Sequence, residues 1–215
     1  MNSNIEILKS MEDTKVVAIV RKIYGDTLVG LAQALLAGGI CNIEVTFDQA
    51  DPDGIRKTSE SIYALNAKFS GRMYAGAGTV VTLEQLEAAK AAGALYIISP
   101  NTDADIIRRT KQLGLISIPG AMTPSEIMTA HNAGADIVKL FPASDLGLPY
   151  IKSIRAPINH VKLMATGGIN EANFHDFISA GCFAAGIGGT LADASLVAQN
   201  NLQELTRRAK AFTQG

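Results

Sequence analysis

Two ionisable side chains stand in short apolar runs of this 215-residue sequence. Lys139 lies in the run 136–140, DIVKL, and Glu44 lies in the run 41–46, CNIEVT. Desolvation makes an ammonium group lose its proton more readily, and the free amine can then attack a carbonyl carbon to form a Schiff base. Structural alternatives exist for both residues: the lysine could reach the surface or pair with a carboxylate, and Glu44 could be solvated or ion-paired.

A second lysine and an arginine occupy comparable positions. Lys162 stands four residues before Thr166, where its apolar run ends. At about 3.3 Å per residue, its Cα lies about 13 Å from the carboxyl end of the predicted strand, so Lys139 is the better candidate nucleophile. Arg21 directly follows the run 16–20, VVAIV. Its guanidinium could bind a carboxylate or a phosphate through two hydrogen bonds, or it could form a structural salt bridge.

Two glycine-rich segments follow the last two apolar runs, at 166–170 (TGGIN) and 186–190 (GIGGT). Backbone N–H groups in such turns bind phosphate, and phosphate sites formed by the loops after the seventh and eighth strands recur in (β/α)8 barrels. One pair of glycines carries no information. Two pairs on consecutive loops favour a phosphorylated ligand.

Eight runs rich in Val, Ile and Ala alternate with segments of helical spacing, which is typical of repeated βαβ units. The predicted strands are 16–20, 41–46, 73–77, 94–98, 115–118, 136–140, 161–165 and 183–187. Predicted helix starts are Thr82, Thr102 and the capping box from Thr123 to Glu126. Glycines suited to left-handed helix ends are Gly38, Gly93, Gly114, Gly134 and Gly181.

Eight units of about 24 residues fit a small (β/α)8 barrel, which is an α/β fold, preceded by a helix over residues 1–14. The alternative, an open doubly wound sheet, usually shows G-x-G-x-x-G after its first strand, whereas RKIYG follows here. No linker or low-complexity stretch divides the chain, so we expect one domain over residues 1–215.

Alternation along a barrel strand gives each side chain a direction. In the second predicted strand, the apolar set that faces the helices is Cys41, Ile43, Val45 and Phe47. The polar set, Asn42, Glu44 and Thr46, then faces the barrel interior. We therefore expect Glu44 near the carboxyl end of a strand, where barrel enzymes keep their catalytic groups.

The composition argues against several other functions. Lys and Arg number 19 against 20 Asp and Glu, and no basic run is long enough to follow a nucleic acid. We see no signal peptide, no apolar segment that could span a bilayer and no C-x-x-C pair, so a soluble cytoplasmic protein is expected. The histidines match no metal-binding pattern and no nucleotide-binding loop is present, so we expect neither a metal nor a cofactor.

Taken together, the motifs resemble the class I aldolases of the 2-keto-3-deoxy-6-phosphogluconate (KDPG) and 4-hydroxy-2-oxoglutarate (KHG) family. The matching segments run in order: VAIVR at 17–21, EVT at 44–46, GAGTV at 76–80, ISP at 98–100, IPG at 118–120, VKLFPA at 138–143, TGGI at 166–169 and GGT at 188–190. An ordered set of this kind is highly specific. The resemblance implies a cofactor-independent homotrimer that acts on a phosphorylated keto acid.

The resemblance also implies a role for each motif residue. Lys139 would form the Schiff base with pyruvate, and Glu44 would move protons during carbinolamine dehydration and carbon–carbon cleavage. Arg21 and Thr79 would hold the pyruvate carboxylate. Two residues would shape the pocket around the imine, Pro100 and Phe141. The distal phosphate would be bound by Thr166, Gly167, Gly168, Gly188, Gly189 and Thr190.

One departure from the family pattern follows the Glu-Val-Thr motif. Some relatives have a basic residue there that assists the distal end of the substrate, whereas this chain has Phe47, Asp48 and Gln49. An inward-pointing Asp48 would repel a phosphate. Relatives that act on the galactonate-type substrate tend to show Glu-Ile-Pro and Val-Gly-Gly where this chain has Glu-Val-Thr and Thr-Gly-Gly.

We therefore expect cleavage of KDPG to pyruvate and glyceraldehyde 3-phosphate, with cleavage of KHG to pyruvate and glyoxylate as a further activity. The alternatives are an aldolase for the galactonate-type keto acid, a phosphosugar isomerase or epimerase on the same barrel, and a non-enzymatic protein that binds a phosphorylated ligand.

Overall fold

The structure, a computed structural model, describes residues 4–214. Its strands are β1 (Val16–Val20), β2 (Asn42–Thr46), β3 (Tyr74–Gly78), β4 (Tyr96–Ile98), β5 (Ile116–Ile118), β6 (Gly120–Ala121), β7 (Val138–Leu140), β8 (Leu163–Thr166) and β9 (Ala184–Ile187). Its helices are α1 (Asn4–Thr14), α2 (Gly25–Ala37), α3 (Gly54–Phe69), α4 (Leu83–Ala91), α5 (Ala104–Gln112), α6 (Pro124–Asn132), α7 (Ala143–Arg155), α8 (Phe174–Ser179), α9 (Ala194–Ala198) and α10 (Leu202–Thr213). None of these helices has the length and apolar character needed to cross a bilayer.

The strands pair in parallel in the order β5-β4-β3-β2-β1-β9-β8-β7-β6. The two end strands, β5 and β6, are parts of one barrel strand interrupted at Pro119, which has no N–H for a ladder bond. Hydrogen bonds cross this junction, because the Lys139 N–H donates to the Pro119 carbonyl at 2.8 Å and the Asp136 N–H donates to the Ser117 carbonyl at 3.0 Å. The result is a nearly closed α/β barrel of the TIM type, as predicted.

Buried apolar side chains form two layers around this sheet. The inner cluster fills the barrel and includes Val17, Tyr96 and Met164, together with Ile7 and Met11 from α1. The outer cluster lies between the strands and the surrounding helices. Helix α1, predicted from the sequence over residues 1–14, therefore covers the amino-terminal end of the barrel, and residues 1–3 lie outside the described chain.

Strand β2 shows the predicted alternation. Ile43, Val45 and Phe47 belong to the outer cluster. The Asn42 side chain points to the opposite face of the strand, and its Nδ2 donates to the Ser10 hydroxyl of α1 at 3.0 Å. Cys41 differs from the prediction, because its half-buried thiol lies 3.0 Å from the same hydroxyl rather than in the outer cluster.

The predicted helix starts are confirmed except at α5. Thr82 caps α4, and Thr123 forms a capping box with Glu126 at the start of α6. Helix α5 is capped by Asp103 instead of Thr102. The Thr102 hydroxyl is engaged elsewhere, since it donates to the Gly120 carbonyl at 2.7 Å.

The predicted left-handed glycines are also confirmed with one exception. Positive φ angles occur at Gly93, Gly114, Gly134 and Gly181. At the end of α2, however, Gly38 has φ −89° and the next glycine, Gly39, has φ +88°. Gly38 instead packs against α10, where a Cβ would lie 2.3 Å from the Ala209 Cβ. The glycine at position 38 therefore provides space rather than backbone freedom.

Candidate active site

Strand β7 carries Lys139 into the barrel interior, two residues after Ile137 on the same face. Its side chain is 3% exposed and forms no ion pair with any of residues 4–214. Its Nζ lies 5.1 Å from the centroid of the Phe141 ring. Burial lowers the pKa of the Lys139 amine, while the charge of Glu44 raises this pKa and that of Arg21 lowers it. Extension to the surface and pairing with a carboxylate are both wrong, and burial makes this amine lose its proton more readily than a solvated lysine does.

Strand β2 places Glu44 inside the same barrel, where it is 1% exposed. Its Oε2 is buried and has no hydrogen-bond partner among the described residues. The backbone of Gly78 lies against its other oxygen, because a Cβ at position 78 would be 1.9 Å from Oε1. Burial raises the pKa of the Glu44 carboxyl, and the charges of Lys139 and Arg21 lower it. Glu44 is thus a desolvated acid with one oxygen free to exchange a proton.

The strand register places both groups beside one cavity. Glu44 lies opposite Ile19 on β1, and Lys139 lies opposite Met164, two residues before Thr166 on β8. Ile19 and Thr166 both line a cavity of about 430 Å³. Its other lining residues are Arg21, Phe141, Gly167, Gly168, Ile169, Asn170, Gly186, Gly188, Gly189 and Thr190. Lys139 and Glu44 do not line this cavity themselves, but their strand positions lie beside residues that do.

The two predicted glycine loops meet in this cavity. Gly168 has φ +74°, and a Cβ there would lie 2.3 Å from the Ser144 Cβ, so that no larger residue fits. The N–H groups of Gly168, Gly189 and Thr190 donate to no acceptor in residues 4–214. Unpaired N–H groups from two loops form a site suited to an oxyanion.

Arg21 is exposed on the same cavity. It forms no ion pair with another described residue, so the structure does not contain the salt bridge that was the alternative to a ligand-binding role. Its Nη1 lies 3.9 Å from the place that a Cβ of Gly188 would occupy. Its charge also lowers the pKa values of Lys139 and Glu44, so the guanidinium acts on the buried pair as well as lying near the glycine loop.

Like Lys139 and Glu44, the predicted residues Thr79 and Pro100 do not line this cavity. Pro100 borders a second cavity of about 360 Å³, which Phe141 also lines, so the Phe141 ring contacts both spaces. Thr79 directly follows Gly78, the residue whose backbone packs on Glu44. Thr79 therefore lies at the carboxyl end of β3, on the Glu44 side of the barrel mouth.

Asp48, where the sequence departs from the family pattern, is paired with a neighbouring lysine. Its Oδ2 lies 3.0 Å from Lys22 Nζ, and its Oδ1 accepts the Ala50 N–H at 3.1 Å. The hydrogen bond from Lys22 and that from the Ala50 N–H lower the pKa of the Asp48 carboxyl. Asp48 is therefore partly neutralised, and a repulsive carboxylate does not stand alone at the mouth.

The rival lysine lies at the other end of the barrel. Lys162 is exposed, and its Nζ lies 4.7 Å from the ring centroid of Phe183, which immediately precedes β9. The distance argument that excluded it as the nucleophile is confirmed. Within residues 4–214, no group of three or more His, Cys, Asp or Glu side chains could hold a metal ion.

Four lining residues received no individual role from the sequence, namely Ile19, Ile169, Asn170 and Gly186. Strand alternation could have predicted Ile19, because it lies two residues before Arg21 on β1 and therefore on the same face. Asn170 stands next to the Thr-Gly-Gly-Ile motif but carried no signal of its own.

Comparisons with known proteins agree with this geometry. A family model described as KDPG and KHG aldolase matches residues 7–208. The 2-dehydro-3-deoxy-6-phosphogalactonate aldolase of Escherichia coli strain K12 is 31% identical over 197 residues, which cover 91% of this chain and 93% of that protein. The 2-dehydro-3-deoxy-phosphogluconate aldolase of Treponema pallidum is 30% identical over 94% of this chain and 93% of that protein.

A crystal structure is also similar over nearly its full length. KDPG aldolase from Legionella pneumophila, with pyruvate captured at low pH as a covalent carbinolamine, has a TM-score of 0.85 at 28% identity and covers 95% of this chain and 97% of that one. Because the family model and the relatives span almost the whole chain, the protein belongs to the KDPG and KHG aldolase family of class I aldehyde-lyases.

Proposed function

We propose that the protein cleaves KDPG to pyruvate and glyceraldehyde 3-phosphate through a Schiff base on Lys139, and that it also cleaves KHG to pyruvate and glyoxylate. The supporting observation is a buried lysine without an ion-pair partner in the described chain, beside a cavity whose glycine loops present unpaired N–H groups. Membership of an aldolase family favours this reaction over isomerisation or epimerisation.

The first half of the reaction joins the substrate to Lys139. The neutral amine adds to the C2 ketone, and its proton passes to the ketone oxygen to give a carbinolamine. A proton delivered to the carbinolamine hydroxyl lets that oxygen leave as water, and the nitrogen lone pair then forms the protonated imine. The carbinolamine captured in the Legionella relative supports this step. The free Oε2 of Glu44 is suited to carry protons for the dehydration.

The second half breaks the bond between C3 and C4. Glu44, directly or through a water molecule, removes the proton of the C4 hydroxyl, and the electron pair of the C3–C4 bond moves into the protonated imine to give an enamine. The aldehyde product leaves. Glu44 then returns the proton to C3, and hydrolysis of the imine releases pyruvate and regenerates Lys139.

The two charged ends of the substrate have separate anchors in this proposal. Arg21 and Thr79 hold the carboxylate next to the imine, and the effect of Arg21 on both buried pKa values supports this position. The glycine loops hold the distal phosphate through their N–H groups. Pro100 and Phe141 shape the space around the imine, which the 5.1 Å approach of Lys139 to the Phe141 ring supports.

Thr166 supports the gluconate-type substrate. It is 2% exposed, lines the main cavity, and its Oγ1 has no hydrogen-bond partner in residues 4–214. A buried hydroxyl without a partner is unfavourable unless a ligand supplies one. The galactonate-type substrate remains the second candidate, because the Escherichia coli galactonate-type aldolase is 31% identical and a native KDPGal structure has a TM-score of 0.83.

We expect Thr166→Val to lower kcat/KM for KDPG by roughly ten- to a hundredfold, because valine keeps the shape of threonine but cannot hydrogen-bond a substrate oxygen. Activity on the galactonate-type epimer should fall much less, because relatives that act on that epimer tend to have valine in place of Thr166 and so do not use a hydroxyl at this position. Pyruvate release coupled to lactate dehydrogenase measures both substrates side by side, with KHG as a third.

Thr110→Val is the matched control, since Thr110 is buried on α5 and its hydroxyl donates to Ile106 within that helix. It should leave the ratio of the two substrates unchanged. A wild-type protein that prefers the galactonate-type keto acid would overturn the assignment of KDPG, and equal losses on both epimers in Thr166→Val would remove Thr166 from the explanation.

We also propose that the protein assembles as a homotrimer, as the family resemblance implies. Light scattering after size-exclusion chromatography is expected to give three times the mass of one chain at micromolar concentration. The mass of one chain or of two would contradict this assembly.

A further inference from the structure

Thr79 has an unusual backbone for its residue type. Its φ of +56° lies in the left-handed region, which is unfavourable for a β-branched residue. The preceding residue, Gly78, packs its backbone on the Glu44 carboxyl. A change in the Thr79 backbone would therefore also disturb this contact. Such a conformation persists only where surrounding contacts hold it.

Two glutamines supply those contacts. Gln49 Nε2 donates to the Thr79 carbonyl at 2.9 Å, and Gln85 Nε2 donates to Gln49 Oε1 at 2.8 Å. Gln85 Oε1 in turn accepts the Val81 N–H at 2.8 Å. Gln49 and Gln85, which we call the glutamine relay, therefore tie the β2–α3 loop to the β3–α4 loop at the Thr79 carbonyl and the Val81 N–H.

The two members of the relay differ in exposure. Gln85 is 6% exposed, and its backbone N–H also bonds the capping hydroxyl of Thr82, so it is part of the start of α4. Gln49 is exposed on its loop, and its side chain bonds only the Thr79 carbonyl and Gln85 within the described chain. An exposed side chain contributes little to the stability of the barrel, so the effect of Gln49 is concentrated on Thr79.

The glutamine relay binds the backbone of Thr79 and does not engage its side-chain hydroxyl. In the described chain the Thr79 hydroxyl has no hydrogen-bond partner, although the carbonyl of the same residue is held. We propose that Gln49 and Gln85 are positioning residues that fix Thr79 in the left-handed conformation in which its hydroxyl meets the substrate carboxylate. This inference rests on the proposed function, because it needs a carboxylate substrate bound beside Lys139.

The test is Gln49→Leu, read out by borohydride trapping over a range of pyruvate concentrations. We expect the half-saturating pyruvate concentration to rise roughly three- to tenfold, the effect of one misplaced hydrogen bond, while the trapping rate at saturation stays unchanged. The half-saturating concentration of hydroxyacetone, a ketone without a carboxylate, should not change. A variant with unaltered half-saturation, or with equal losses for both ketones, would overturn the relay.

Two further variants separate positioning from a general structural role. Gln112→Leu, an exposed glutamine at the end of α5, is the matched control and should behave as wild type. In a Thr79→Gly background the hydroxyl is absent, so adding Gln49→Leu should have no further effect on half-saturation. Additive effects in this double-mutant cycle would contradict the inference. Absence of any pyruvate adduct in the wild-type protein would instead refute the proposed function itself.

Discussion

Replacing Lys139 with methionine is expected to lower kcat for KDPG cleavage on the order of 10⁴-fold or more, because removal of a covalent nucleophile leaves only binding and charge stabilisation. Borohydride treatment with pyruvate should label the wild-type protein on Lys139 and leave Lys139→Met unlabelled. Peptide mass spectrometry of the reduced adduct measures this directly. Lys139→Arg should be equally inactive, since a guanidinium cannot form the imine.

Lys139→Met is also expected to raise the free energy of unfolding by about 0.5–2 kcal/mol near neutral pH, because it removes a desolvated amine from the barrel interior. The pKa of Lys139 is lowered from its ordinary value of 10.5, so the unfolded chain binds this proton more tightly than the folded one. Stability of the wild-type protein should therefore rise with pH from the lowered pKa towards 10.5, and Lys139→Met should lose that rise. Urea unfolding at several pH values measures this pH dependence of the free energy of unfolding.

Lys162→Met is the matched control for both measurements, because Lys162 is exposed at the opposite end of the barrel. It should retain activity and the pyruvate adduct. An adduct on Lys162, or full activity in Lys139→Arg, would contradict the mechanism and return the isomerase alternative to consideration.

Glu44→Gln is expected to lower kcat by about 10²- to 10⁴-fold, the range for loss of a positioned general acid and base. Burial raises the pKa of Glu44, so the acid limb of the wild-type profile of kcat against pH should lie above the ordinary glutamate value of 4.5. Glutamine cannot exchange the proton, and this limb should therefore vanish in the variant. The pyruvate adduct on Lys139 should still form, although more slowly.

Gly78→Ala tests the position of the Glu44 carboxyl without removing that carboxyl. A Cβ at position 78 would lie 1.9 Å from Glu44 Oε1, so the carboxyl must move and kcat should fall although the acid is present. Gly30→Ala is the control, because its Cβ would make only an ordinary 3.8 Å contact with Leu202. Wild-type activity in Gly78→Ala would show that the position of the Glu44 carboxyl is not critical.

Much of the site could be predicted because strand alternation is a local property. The inward direction of Glu44 and the burial of Lys139 followed from residues one and two positions away. The same locality explains the capping box from Thr123 to Glu126, in which both partners lie within four residues. Predictions that depended only on such neighbours were confirmed at these positions, and Cys41 is the exception, since its thiol lies near the Ser10 hydroxyl of α1 instead of in the outer cluster.

Predictions that depended on distant neighbours were less accurate. Gly38 was assigned a left-handed conformation, but contact with Ala209 on α10 gives it a different role. Thr102 was assigned a cap, but the Gly120 carbonyl takes its hydroxyl. The sequence alone predicts a repulsive Asp48, whereas the structure places Lys22 beside it. Each of these partners comes from another loop or helix, about which the local pattern holds no information.

The sequence by itself determined the barrel, the two buried ionisable residues and the two glycine loops, because each depends on the order of residues within one strand or one turn. Only the tertiary structure decided that Arg21 faces the glycine loop, that Pro100 borders a separate cavity, and that Gln49 holds Thr79. These contacts join segments far apart in the chain, and their geometry arises only when the parallel strands bring the carboxyl ends together around one mouth.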